Sequence, residues 1–89
     1  VAYQAAKRGL VGLAHATFRE ERDNGIRTSV IYPGLTDTPI MLKRPVPTPA
    51  ETLARALRAE DVAEACLFVA SLPSRVLVPE LTIVPTALS

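Results

Sequence analysis

Cysteine occurs once in the 89 residues, tryptophan not at all, and aromatic side chains make up 4%. A lone Cys66 cannot close an internal disulfide, so a disulfide-stapled secreted scaffold is excluded; a reducing compartment, most simply the cytoplasm, is the expected location. Charge of one sign is also missing. Ten basic against nine acidic residues leave a net charge of +1, and no basic run exceeds a pair such as Lys7-Arg8 or Lys43-Arg44. That leaves no electrostatic footprint for nucleic acid. No apolar run approaches the roughly eighteen residues of a membrane span, and no signal-peptide pattern leads the chain. No internal repeat or low-complexity tract is visible. An initiator Met and an N-terminal cap are absent too: helix-like sequence runs from the first residue, so the chain is expected to be the tail of something longer.

What is present is the balance of a globular interior, 48% hydrophobic and 21% charged. Eighty-nine residues allow one small domain, which would bury only about 60–65% of its unfolded surface. From Ala2 to about Asn24, Ala5, Ala6, Leu10, Leu13, Ala14, Thr17 and Phe18 recur at three- and four-residue steps, which predicts a helix. Gly25 suits the left-handed position just past its end. Gly9 and Gly12 inside it imply close approach of another element. "IRTSVIY" (26–32) is short and β-branched, which predicts a strand. "PGLTDTPIMLKRPVPTP" has no steady period and reads as a long loop with a helical turn near Ile40 to Lys43. A second helix is expected near Pro49, broken near Arg58 and restarting with Glu60 and Asp61 in its first turn, where carboxylates suit the helix dipole. Val62, Cys66, Val69 and Ala70 form its apolar stripe, and "VLVPELTIVP" (76–85) is the last strand. Helix, strand, loop, helix, strand is an α/β winding with parallel strands, and two such strands form an incomplete sheet.

Tyr3 and Lys7 lie one helical turn apart, within about 6 Å at their Cβ atoms. An ammonium beside a phenol favours the phenolate, so such a Tyr can give or take a proton in general acid–base catalysis. Read from spacing alone, the pair is equally two residues on one turn of helix. Thirty residues after Tyr3 the strand runs into Pro33-Gly34. Open α/β sheets bind ligands at the carboxyl ends of their strands; Pro33 stiffens the turn there and Gly34 permits close backbone approach. Thr36 and Thr38 add hydroxyls beside it.

In this order and at this distance, the two features resemble the short-chain dehydrogenase/reductase family. Tyr3-Gln4-Ala5-Ala6-Lys7 matches its Tyr-x-x-x-Lys. "RGLVGLAHATFREERDNGIRTSVIYPGLTDT" looks like its next helix, strand and Pro-Gly-x-x-x-Thr loop, and "AEDVAEACLFVASLP" and "VPELTIVPT" look like its last helix and strand. The resemblance implies the C-terminal part of a Rossmann-type, doubly wound parallel sheet, with residues 1–89 as one portion of a dinucleotide-binding domain. It implies NAD or NADP as cofactor, a small carbonyl or alcohol as substrate, and a homo-oligomeric whole protein, with neither nucleic acid nor membrane as partner. By it, Tyr3 is the general acid–base. Lys7 assists Tyr3 and holds the nicotinamide ribose. Pro33, Gly34, the backbone of Thr36 (where the family usually has Ile or Val) and the Thr38 hydroxyl lie on the nicotinamide side. The four glycines form no dinucleotide fingerprint, and the family's phosphate loop, catalytic Ser and relay Asn would precede Tyr3. The ending "VPELTIVPT" resembles a subgroup acting on small hydroxy acids, amino alcohols or related polar substrates. An extended-branch epimerase or dehydratase and a non-catalytic assembly module are the alternative readings.

His15 has no Cys or carboxylate at ligand spacing and is expected on the helix surface or at an interface. Cys66 is expected as a small core residue, Tyr32 as packing beneath the cofactor, and Arg19 to Asp23 as a solvated face. Met41 and Leu42 are candidates for substrate contact, and the segment from Pro39 to Arg58 is expected to act as a lid.

Overall fold

The computed structural model describes residues 1–39, 46 and 48–88. Helix α1 spans Ala2–Glu21 and continues into a single 3-10 turn, Arg22–Asn24. Gly25 then takes φ +77°, its N–H donating to the Arg22 carbonyl while that of Ile26 donates to Glu21. These 5→2 and 6→1 bonds make a Schellman cap, which needs the left-handed residue that glycine adopts without a Cβ penalty. Strand β1 (Val30–Pro33) and a two-residue strand β2 (Thr36–Asp37) follow. Helix α2 (Ala50–Leu53), a second two-residue strand β3 (Leu57–Arg58), helix α3 (Ala59–Ala70) and strand β4 (Glu80–Ile83) complete the order, with a 3-10 turn at Thr86–Leu88.

β1 and β4 pair in parallel, Val30 opposite Glu80 through Pro33 opposite Ile83. Residues 26–29 and 76–79, expected to belong to these strands, stand outside them, apart from the Pro79 carbonyl, which accepts the Val30 N–H at 3.0 Å. β2 and β3 form a separate parallel pair, Thr36 opposite Leu57 and Asp37 opposite Arg58. The expected break near Arg58 is therefore a strand that ties the segment after Pro33-Gly34 to the start of α3. There the Arg58 N–H donates to the Asp61 carboxylate at 2.8 Å, and Glu60 and Asp61 occupy the first turn as expected. The helical turn near 40–43, and Met41 and Leu42 with it, lie outside the described residues.

Side chains alternate across β1 and β4. Ile31 lines a groove of about 500 Å³ with Cys66 and Val69 of α3, and with Val76 and Val78. Tyr32 and Glu80 instead line a groove of about 640 Å³ with Lys7, Arg8, Val11 and Gly12 of α1. The two helices thus lie on opposite faces, as a doubly wound sheet requires. Arg27 holds the approach to β4, its guanidinium donating to the carbonyls of Pro73 at 3.0 Å and Val76 at 2.6 Å.

Among the described residues only Pro85 is buried, so Cys66 is exposed rather than a core residue. A compact chain of 9.6 kDa would expose about 5,100 Å², whereas this one exposes 6939 Å². Its radius of gyration, 15.7 Å, likewise exceeds the roughly 12 Å of a compact domain this long. The outer faces of α1 and α3, with Leu10, Leu13, Leu67 and Phe68, stay open to water. The incomplete sheet anticipated from the sequence is the observed one. No described helix is long and apolar enough to cross a membrane.

Candidate active site

The first two turns of α1 carry Tyr3 and Lys7, and helical periodicity places them on one face. The Lys7 ammonium sits 5.5 Å from the centroid of the Tyr3 ring, a cation–π distance at which the cation and the aromatic face attract. Tyr3 is 73% exposed. Lys7 also borders the groove that holds Tyr32, the residue before Pro33. Of the site residues expected from the sequence, only Lys7 lines this groove; Tyr3, Pro33, Gly34, Thr36 and Thr38 do not. Tyr32, expected beneath a cofactor, forms part of this groove wall and is 37% exposed.

The Pro33-Gly34 turn is shaped by the chain itself. The Gly34 N–H donates to the Ile83 carbonyl at 2.7 Å, extending the parallel ladder by one bond. A Cβ built on Gly34 would lie 3.1 Å from the Pro85 ring and 3.3 Å from the Val84 side chain. The close approach inferred from this glycine is thus made by residues 84 and 85, with φ outside the left-handed region. The Thr36 hydroxyl donates to the Gly34 carbonyl at 2.9 Å, closing the loop on itself. The one donor of that hydroxyl is thus used within the loop. Thr38 is half-buried just past β2 and makes no side-chain hydrogen bond to another described residue.

Gly9 and Gly12 have no atom within 4 Å of a Cβ position, so the close approach expected there is not made within the described chain. His15 has a partner that helix-local spacing could not show: its Nε2 lies 2.9 Å from Oε1 of Glu80, sixty-five residues away. Neither Glu80 nor Arg8 stood out in the sequence. The only signal was a carboxylate opening a strand whose alternate residues are apolar. Among the described residues no group of three or more His, Cys, Asp or Glu could hold a metal ion.

The donor set suits the ribose and nicotinamide half of a dinucleotide. Lys7 offers three N–H donors and Tyr3 a hydroxyl at the start of α1, and Lys7 shares a groove with Tyr32 of β1. Residues 1–84 match the family described as enoyl-(acyl carrier protein) reductase. The chain is 35% identical over 74 residues to cis-4-hydroxycyclohexanecarboxylate dehydrogenase of Sinomonas cyclohexanicum, covering 78% of this chain and 30% of that protein. It is 35% identical over 91 aligned positions to dehydrogenase/reductase SDR family member 11 of Mus musculus, covering 94% of this chain and 35% of the relative. The chain belongs to the short-chain dehydrogenase/reductase family. It spans about a third of the length of the curated relatives it matches.

Proposed function

We propose that this chain is the C-terminal portion of the dinucleotide-binding domain of an NAD- or NADP-dependent dehydrogenase or reductase that interconverts a carbonyl and an alcohol. The observation that carries this reading is the Lys7 ammonium 5.5 Å from the centre of the Tyr3 ring, on a helix start that shares a groove with Tyr32. When bound, the nicotinamide supplies or takes up the hydride. Tyr3 gives its hydroxyl proton to the carbonyl oxygen in reduction and removes the alcohol proton in oxidation. Lys7 holds its ammonium beside the Tyr3 ring and hydrogen-bonds the ribose. Pro33, Gly34, the Thr36 backbone and the Thr38 hydroxyl orient the nicotinamide. The self-closed Thr36–Gly34 turn supports this, because a preformed loop loses little freedom on binding.

Both named relatives are dehydrogenases, one of them named for a hydroxy acid, which favours an alcohol or ketone over a carbon–carbon double bond. The whole enzyme is read as a homo-oligomer, for which the open space at Gly9 and Gly12 leaves room for a helix of a second copy. In the full-length enzyme Tyr3→Phe is expected to lower kcat by about 10²–10⁴-fold while cofactor affinity holds. An assay over hydroxy acids, ketones and enoyl thioesters with both cofactors checks this, and near-full turnover by Tyr3→Phe removes the catalytic assignment.

A further inference from the structure

α1 carries both Tyr3 and Lys7, yet it is fastened to the strands at one level. Among the described residues its side-chain hydrogen bonds to elements beyond its own C-terminal turn fall at two consecutive positions. The Thr28 hydroxyl donates to the carbonyl of Ala14, and His15 meets Glu80 at 2.9 Å. Thr28 lies two residues before β1, and Glu80 opens β4 opposite Val30, so the two attachments sit on neighbouring segments of the sheet, offset by two residues along the strand direction. N-terminal to them, the helix overhangs the open groove of about 640 Å³, and Gly12 puts no side chain into it. One attachment alone would leave the helix free to swing about it. The second, across the strand direction, removes that freedom.

We propose that His15 and Glu80 are positioning residues, whose hydrogen bond fixes the angle of α1 on the sheet and with it the placement of Tyr3 and Lys7. This rests on the catalytic reading of those two residues. Tyr3 is twelve residues before His15, about 18 Å along a helix that rises about 1.5 Å per residue. A swing of about 5° over that arm displaces Tyr3 by about 1.6 Å, and a misplacement of about 1 Å can cost about 10²-fold in rate. The pair is part-exposed, 33% for His15 and 50% for Glu80, so its strength is modest. Its effect comes from leverage. Lys7, at eight residues, rides the shorter part of the same arm.

The test uses the full-length enzyme with His15→Ala, Glu80→Ala, the double variant, and His15→Gln, whose amide nitrogen reaches the place of Nε2. Each alanine variant is expected to lower kcat by about tenfold or more with substrate KM held within about threefold. The double variant is expected to be no worse than either single one, as for two ends of one bond. His15→Gln is expected to restore kcat to within about threefold of wild type. Hydrogen exchange at the amides of residues 2–14 supplies a readout independent of turnover: faster in His15→Ala, unchanged in His15→Gln. A kcat of His15→Ala within about twofold of wild type, or losses that multiply in the double variant, overturns the proposal. Unaltered exchange in His15→Ala overturns it as well, even in an enzyme whose substrate reading has failed. Wild-type protein without NAD(P)-linked turnover, but with the exchange change, removes the catalytic reading and leaves the clamp.

Discussion

The two faces of the β1–β4 pair are built on opposite terms. Toward α3 the strands present Ile31, Leu81 and Ile83, half-buried and met by apolar side chains such as Val69. Toward α1 they present Val30, half-buried, with Tyr32, Thr82 and Glu80, all exposed, and the helix is held by the Thr28 and His15 hydrogen bonds. Apolar contact is non-directional and tolerates small shifts, whereas a hydrogen bond fails when its angle does. One face therefore carries stability without demanding precise geometry, and the other carries geometry with little stability.

The contrast can be broken by substitution. The largest effect is expected from Lys7→Met in the full-length enzyme, with turnover down by about 10²–10⁴-fold and cofactor affinity weakened. The melting temperature should stay within about 2 °C of wild type, since surface substitutions change stability by roughly 0.5 kcal/mol or less. Steady-state kinetics and a cofactor titration check the first part, and a thermal melt the second. A collapse in stability would break the division of labour. Next comes Gly34→Ala, where the new Cβ meets the Pro85 ring at 3.1 Å; overpacking of this kind costs about 1–3 kcal/mol, read by urea denaturation. Ile31→Ala is smaller, because the side chain is only half-buried: about 1–2 kcal/mol, below the range for fully buried sites. Its turnover per folded molecule should stay near wild type, and a loss beyond about threefold would show that the α3 face also aims the site.

Parts of this were open to reading before any coordinates. Residues 2–24 carry a long 3.6-residue period and end on Gly25, so both the helix and its left-handed cap were legible. Tyr3 and Lys7 share a face by spacing alone. The strand ends were not legible, because a β-branched run such as 26–29 has the same chemistry whether or not a neighbour supplies a ladder. β2 and β3 escaped for a related reason: two residues give no periodicity, and Thr36 finds Leu57 only through the fold. Cys66 sits on an apolar stripe, but a stripe says which side faces inward, not whether anything covers it. At Gly34 the sequence does not show that the chain's own Val84-Pro85 packs against the missing Cβ. The His15–Glu80 contact spans sixty-five residues, beyond any local pattern.

The register of the sheet bears on which changes in length the chain can accept. Val30 stands opposite Glu80, its N–H bonded to the Pro79 carbonyl at 3.0 Å. Because strand side chains repeat every two residues, removing one residue from the connection at 71–79 would turn every side chain of β4 over. Glu80 would then face Cys66 and Val69, while Leu81 and Ile83 would turn toward the charged rim of Lys7 and Arg8. His15 would lose its partner in the same step. A deletion of one residue in this connection should thus damage the protein more than a deletion of two, which restores the facing at the expense of a shorter path. Natural length variation here is expected to come in pairs.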